Sequence, residues 1–175
     1  EVGAQYVDQF DQGLDIAIHS GLLPDSSRVA RRIGESSWIT CATPEYLIER
    51  GTPQAPSDLL SHDCFHFSFN SPWNIWNYEV DGHSIVVPIK PRSTFTQGDL
   101  LRSVALNGGG VVRLADFHIG ADIKAGRLIP VLDEYRSKVT QPIYLIYANR
   151  KNLSPRIRAF IEYLERQIAL NPWQI

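Results

Sequence analysis

Short apolar segments alternate with helix-like segments along this 175-residue chain, and this alternation constrains its fold more than any other feature. Residues 38–42 and 143–148 are typical of buried strands, and residues 154–168 carry an apolar stripe at helical spacing behind the starting pair Ser154-Pro155. Strands that alternate with helices predict an α/β protein with a mostly parallel sheet. The composition, 43% hydrophobic and 21% charged, excludes collagen-like, coiled-coil and disordered chains.

Turn and capping residues place the remaining elements. Asp81-Gly82 is typical of a two-residue hairpin turn, and Gly51, Gly108 and Gly126 are typical of helix ends. Because Gly108-Gly109-Gly110 follows a helix, we interpret it as a turn and not as a phosphate-binding loop. The further predicted strands are residues 14–18, 28–33, 65–69, 76–80, 84–89, 92–95, 111–114 and 128–132, and the further helices are residues 5–12, 44–50, 98–107 and 116–125.

At two places a predicted strand ends at a threonine where a helix begins. Thr43-Pro44 follows one strand, and Thr96-Gln97 follows another. In open α/β sheets small ligands bind at the carboxyl ends of strands, where helix N-termini offer free N–H groups. The two corners therefore predict a site for a small polar or anionic ligand, although each threonine could also act only as a helix cap.

The charge distribution does not favour nucleic-acid binding by this chain. Its 17 basic and 19 acidic residues give a formal net charge of −2, and the small arginine clusters are typical of solvated surface. The longest apolar runs are too short to span a membrane, and the first residues do not resemble a signal peptide. The absence of methionine favours a processed N-terminus or a piece of a longer protein.

The two cysteines and their neighbours allow alternatives. Cys41 and Cys64 lie in strand-like contexts without CxxC spacing, which favours buried free thiols in a reducing cytoplasm over a disulfide. His62, Cys64 and His66 recur at every second position, which is a conceivable metal-binding or catalytic set. A core strand with phenylalanines on its inner face and polar residues opposite explains the same pattern. We therefore expect no catalytic residue, metal or cofactor.

Several strings, taken in order along nearly the whole chain, strongly resemble the LysR-type transcriptional regulators. They are Cys41-Ala42-Thr43-Pro44-Glu45-Tyr46-Leu47, Gly126-Arg127-Leu128-Ile129-Pro130-Val131-Leu132, and residues 10–19, 23–27, 29–34, 51–53, 58–64 and 153–160. Each string is a weak signal alone, and their common order makes the resemblance specific.

The resemblance implies an effector-binding domain with a two-lobed, type 2 periplasmic-binding-protein-like α/β fold. Lobe one would comprise residues 1–37 and 142–175, and lobe two residues 38–141, with chain crossings near residues 33–38 and 140–143. The strand–helix–strand that opens lobe one in this family would precede Glu1, so we expect an N-terminally truncated first lobe.

The resemblance also implies ligand contacts. They are Thr43, Pro44, Thr96, Gln97, His19, Ser20 and Gly21. Arg113, which departs from the family pattern, is a further candidate ligand contact. His19 stands where related regulators usually carry arginine, and a histidine there would weaken the binding of an anion. Arg113 and Ala115 replace the apolar residue and the proline that commonly follow the glycine-rich turn.

The function implied is that of a regulatory domain of a bacterial transcription factor. It would bind a small-molecule co-inducer, for which an anion is one candidate, in the cleft between the lobes. It would act in the cytoplasm and self-associate as a dimer or tetramer. DNA would be bound only through an N-terminal winged helix-turn-helix, and there would be no membrane partner and no enzymatic activity. The alternatives are a periplasmic solute-binding protein of the same fold and a small metal-dependent hydrolase.

Overall fold

The computed structural model describes residues 15–21, 23, 29–147 and 154–170. The predicted helix over residues 5–12 lies outside these ranges. In chain order the strands are β1 (Ile16–Ser20), β2 (Val29–Ser36), β3 (Trp38–Ala42), β4 (Cys64–Phe67), β5 (Trp76–Val80), β6 (His83–Val87), β7 (Ser93–Phe95), β8 (Val111–Ala115), β9 (Ile129–Pro130) and β10 (Gln141–Tyr147). The helices are α1 (Pro44–Arg50), α2 (Gly98–Leu106), α3 (Asp116–Lys124) and α4 (Pro155–Leu170), and a 3-10 helix covers Pro56–Ser61.

The chain divides into two compact units. The first contains the described residues of Glu1–Ser36 and Thr140–Gln174, and the second contains Ser37–Val139. In the first unit β10 lies between β1 and β2 and pairs antiparallel with both. The apolar stripe of α4 supplies Ile161 to a small core with Leu145 and Tyr147 of β10, as the helical spacing predicts.

The second unit contains a five-stranded mixed sheet in the order β7-β4-β8-β3-β9. β4 runs parallel to β7 and β8, whereas β3 runs antiparallel to β8 and β9. The sequence-based expectation of a mostly parallel sheet is therefore wrong for β3 and for the whole first-unit sheet. Hydrophobic periodicity identifies strands but carries no information on the direction of a partner that lies 70 residues away in the sequence.

The core of the second unit occupies both faces of this sheet. On one face Cys64 and Val111 pack with Trp76 and Tyr78 of the β5–β6 hairpin. On the other face lie Phe65, Phe67, Val112 and Leu114, packed against α2 and α3 through Leu101, Ala105 and Ile119. All four residues of β4 are buried, so the face opposite Phe65 and Phe67, which carries Cys64 and His66, is covered as well. A central strand that is covered on both sides has no solvent face.

The predicted hairpin is present. β5 and β6 pair antiparallel from Trp76↔Val87 to Val80↔His83. Asp81 and Gly82 join them with φ values of 51° and 75°, the left-handed conformations that a type I′ turn requires. In the described part of the chain, no helix has the length and apolar character needed to cross a membrane.

Candidate functional site

One edge of the second unit's sheet collects the features expected of a ligand site. Because β4, β7 and β8 are parallel, their carboxyl ends meet at this edge, together with the start of the antiparallel β3. Both α2 and α3 begin there, directly after β7 and β8. We call it the carboxyl edge and define it by Trp38, Thr96, Gln97 and Asp116.

Thr96 and Gln97 form the corner between β7 and α2. Both are exposed, and Gln97 occupies the N-cap position without a capping hydrogen bond from its side chain. The Thr96 hydroxyl makes no hydrogen bond to any residue that the structure describes. This corner therefore offers a hydroxyl, an amide and the N-terminal N–H groups of α2 to a ligand.

His118 of α3 packs against the N-terminus of α2, and sequence reasoning missed it. A Cβ built on Gly98 would lie 2.6 Å from the His118 Nε2, so only glycine permits this close approach. The His118 Nδ1 lies 3.5 Å from the Asp99 Oδ1. Burial lowers the pKa of His118, and the Asp99 carboxylate opposes that shift.

Asp116 connects the start of α3 to the start of β3. Its Oδ2 accepts a hydrogen bond from the Ser37 N–H at 3.0 Å, and its own N–H donates to the Ser37 carbonyl, also at 3.0 Å. Asp116 is 2% exposed. In the sequence, Asp116 was recognisable only as the first residue of a helix after an apolar strand. Nothing in the sequence indicated its contact with Ser37.

Thr43 and Pro44 lie at the opposite edge of the same sheet. β3 runs against β8, so the end of β3 faces the start of β8 and not its carboxyl end. Thr43 is 4% exposed, and its hydroxyl accepts a hydrogen bond from the Tyr46 N–H at 3.3 Å. The structure therefore does not bring Thr43 together with Thr96, and helix capping accounts for the Thr43 hydroxyl.

His19, Ser20 and Gly21 lie in the first unit, at the end of β1. His19 pairs with Tyr144 and Ser20 with Ile143, and the Gly21 N–H donates to the Pro142 carbonyl at 2.9 Å. Gly21 has a φ of 108°, a conformation that favours glycine. Their role in ligand binding stays a prediction.

Arg113 lies on a central strand of the second unit, and its side chain is buried. It lies on β8 opposite Thr40 of β3 and is 9% exposed. Its guanidinium carbon lies 5.4 Å from the Trp38 ring centroid, and its Nη1 donates to the Ile75 carbonyl at 3.2 Å. Burial lowers its pKa.

The histidines and cysteine considered as metal ligands have other contacts. The His62 Nδ1 lies 3.1 Å from the Tyr46 hydroxyl, the Cys64 thiol donates to the Leu59 carbonyl at 3.5 Å, and the His66 ring packs against Trp76. Across the described ranges no group of three or more His, Cys, Asp or Glu side chains could hold a metal ion.

Cys41 and Cys64 are buried free thiols, so the disulfide alternative is wrong. Burial raises the pKa of each thiol to about 12. At pH 8 both thiols are therefore far less ionised than an ordinary cysteine, and only the ionised thiolate reacts. We expect both thiols of the native protein to react with Ellman's reagent only as fast as the protein unfolds. Rapid labelling without denaturant, at the rate seen in urea, would contradict this.

Comparison with known proteins decides the family. The sequence model described as the LysR substrate binding domain matches residues 1–169. The chain belongs to the LysR substrate-binding domain family. Its fold is accordingly the type 2 periplasmic-binding-protein-like α/β fold that the resemblance implied, and its similarities are to transcriptional regulators, which leaves the solute-binding and hydrolase alternatives without support.

Individual relatives of this LysR substrate-binding domain agree. It is 36% identical over 166 residues to the HTH-type transcriptional regulator CrgA of Neisseria meningitidis serogroup B, covering 95% of this chain and 55% of that protein. It is 31% identical over 160 residues to the HTH-type regulator YhjC of Escherichia coli, covering 90% and 53%. The solved CrgA regulatory domain superposes with a TM-score of 0.86 at 35% identity, covering 93% of this chain and 79% of that chain. The chain thus spans about half the length of these full-length relatives.

Proposed function

We propose that this chain is the effector-binding and self-associating part of a bacterial LysR-type transcriptional regulator that acts in the cytoplasm. The match to the LysR substrate binding domain over residues 1–169 carries the proposal, and the buried free thiols agree with a reducing compartment. DNA binding would belong to a winged helix-turn-helix in the whole regulator, and the chain would catalyse no reaction. The self-associated form would be a dimer or tetramer.

The corner at Thr96 and Gln97 is the proposed effector contact of the second unit. A helix N-terminus carries a partial positive charge and unpaired N–H groups, and both favour a carboxylate. The hydroxyl of Thr96 supplies a further hydrogen-bond donor, and the exposed position leaves it accessible. We therefore propose a small carboxylic acid as the effector.

Regulation follows from differential affinity. An effector changes the conformation of a regulator only by binding one of its states more tightly than the other. In the proposed mechanism a carboxylate at Thr96 favours one arrangement of the self-associated domains, and that arrangement repositions the DNA-binding domains.

A matched pair of threonine variants tests the site. We expect a panel of small aliphatic and aromatic carboxylic acids to contain at least one that raises the melting temperature of the native protein. Thr96→Val should abolish that increase, because it removes the hydroxyl and keeps the side-chain shape. Thr43→Val should keep the increase and lower the stability by about 1 kcal/mol, because it removes a helix cap at the opposite edge.

Two results of this experiment would contradict the proposal. One is an unchanged ligand response in Thr96→Val, which would place the effector elsewhere. The other is loss of the response in Thr43→Val alone, which would return the site to the edge that includes Thr43. Circular dichroism of both variants provides the control for folding.

A further inference from the structure

The β5–β6 hairpin is a separate two-stranded sheet that is attached to one face of the five-stranded sheet. Its buried side chains Trp76 and Tyr78 pack on that face, and the Tyr78 hydroxyl shares a hydrogen bond with the Thr40 hydroxyl at 2.7 Å. A backbone bridge also joins Tyr78 to Arg136. Because an isolated two-stranded hairpin is only marginally stable in water, the pairing of β5 with β6 depends on these contacts.

His66 of β4 lies in the packing between the five-stranded sheet and the hairpin. It is 8% exposed, and the centroid of its ring lies 5.4 Å from that of Trp76. Cys64, two residues earlier on the same face of β4, packs against Trp76 and Tyr78. Burial raises the pKa of Cys64 and of Tyr78 to about 12, whereas histidine gains its charge near neutral pH. His66 is therefore the member of this group that can change its charge in the physiological range.

The surroundings of the His66 ring favour its neutral form. Its Nε2 atom is buried and has no hydrogen-bond partner among the residues that the structure describes. In a neutral imidazole whose hydrogen is on Nδ1, the Nε2 atom carries only a lone pair. An imidazolium carries a hydrogen on both nitrogens. Protonation would therefore bury a charge and would also place a donor at Nε2 without an acceptor, and both are costly.

No neighbouring element in the described part of the chain supplies a carboxylate to the His66 ring. On β8, the register with β4 continued by one residue brings Arg113, a cation that donates to the Ile75 carbonyl. On β5, Glu79 alternates with the side chains that face the sheet, and its Oε1 accepts from a backbone N–H. On β6, His83 is exposed, and neither β7 nor residues 72–74 carry a titratable side chain. Accordingly, burial is the cause that lowers the pKa of His66.

We propose that His66 makes the attachment of the β5–β6 hairpin sensitive to acid, because protonation of its ring releases the hairpin from the five-stranded sheet. The neutral ring fits the packed state, and the charged ring favours the detached state, in which water solvates it. The stabilisation is present above the ordinary histidine pKa of about 6.5 and is lost as the pH falls below that value. This device acts on the hairpin and does not depend on the proposed effector corner at Thr96.

Amide hydrogen exchange on the whole chain tests this, with rates expressed as protection factors. Between pH 7.5 and pH 5.5 we expect the protection of the β5–β6 amides to fall several-fold, up to the limit of about tenfold for one ring that titrates only when the hairpin is detached. The amides of α2, on the other face of the sheet, should change less. His66→Phe keeps a ring beside Trp76 and should abolish the fall, whereas His83→Gln, at an exposed position of the same hairpin, should retain it.

An NMR titration of the histidine rings provides a measurement that needs no variant. As the pH falls through 6.5, the His66 ring of the native protein should keep the chemical shifts of a neutral imidazole while the hairpin remains attached. A charged His66 ring in a protein whose hairpin protection has not changed would overturn the proposal. So would an equal loss of protection in β5–β6 and α2, or the same pH dependence in the native protein and a folded His66→Phe.

Discussion

Replacing Arg102 and Arg127 together by alanine is expected to lower the free energy of unfolding by about 3–5 kcal/mol at pH 7. Both guanidiniums bind the carboxylate of Asp122, which is fully buried. The Arg102 Nε lies 2.5 Å from Oδ2, and the Arg127 Nη2 lies 2.6 Å from Oδ1. Without them the carboxylate would remain in the core as an uncompensated charge, which is the costly way to break a buried ion pair.

A second pair of arginines supplies the matched control. Arg50 and Arg92 flank Asp63 at 3.2 Å and 2.9 Å, but the Asp63 side chain is 24% exposed and both arginines are largely in solvent. Removing them together should cost about 0–1 kcal/mol, since water can replace them. Urea unfolding followed by tryptophan fluorescence suits both experiments, because Trp38, Trp73 and Trp76 all belong to the second unit.

The loss of stability in the Arg102 and Arg127 double variant should depend on pH in a definite direction. Arg102 and then Arg127 hold the pKa of Asp122 below its usual range. In the native protein this stabilisation is therefore present above the unfolded value of about 3.9 and is lost as the pH falls through the lower native value. In the double variant burial acts alone and raises the pKa of Asp122, so the carboxylate becomes protonated as the pH falls. The difference in unfolding free energy between the native protein and the variant should therefore become smaller between pH 7 and pH 5. A loss of unfolding free energy that is small at pH 7, or that does not change with pH, would show that the buried charge of Asp122 is not its cause.

Gly110→Ala is expected to destabilise the protein by about 2–4 kcal/mol, through overpacking and backbone strain together. A Cβ at this position would lie 2.0 Å from the carbonyl oxygen of Asp63 and 2.9 Å from the Phe65 ring. The carbonyl cannot withdraw freely, because it accepts a hydrogen bond from the Val111 N–H at 2.8 Å at the start of the β4–β8 pair. The φ of 153° adds conformational strain for any residue with a side chain.

Gly82→Ala separates the two contributions. Gly82 also has a positive φ, 75°, but a Cβ there would meet no atom within 4 Å. Its replacement should therefore cost only the conformational term, about 1 kcal/mol. The same urea series measures both variants. Equal losses at the two glycines would show that the contact with Asp63 relaxes and that overpacking contributes little.

Local features were predictable because their causes lie within a few residues of each other. The Thr43-Pro44 start of α1, the Asp81-Gly82 turn and the apolar stripe of α4 all occur where the sequence indicated. Caps, turns and amphipathic stripes depend on side chains that are neighbours along the chain, so their energetics can be judged from the sequence.

Long-range contacts were not predictable on the same basis. No sequence pattern indicated the burial of Asp122, whose carboxylate binds Arg102, 20 residues away on α2. His118 at Gly98 and Arg113 at Trp38 are likewise contacts between separate elements. No periodicity or spacing signals such pairs, because the free energy that forms them arises only when the elements pack.

The sequence by itself determined the family, the positions of most elements and the start of α2 at the Thr96 corner. Only the tertiary structure decided which corners share an edge. In the sequence Thr43 and Thr96 each follow a predicted strand and precede a predicted helix, so the local pattern does not distinguish them. β3 enters the sheet antiparallel to β8, however, and this places them at opposite edges. Strand direction is a property of pairing between distant segments, and the local chain does not encode it.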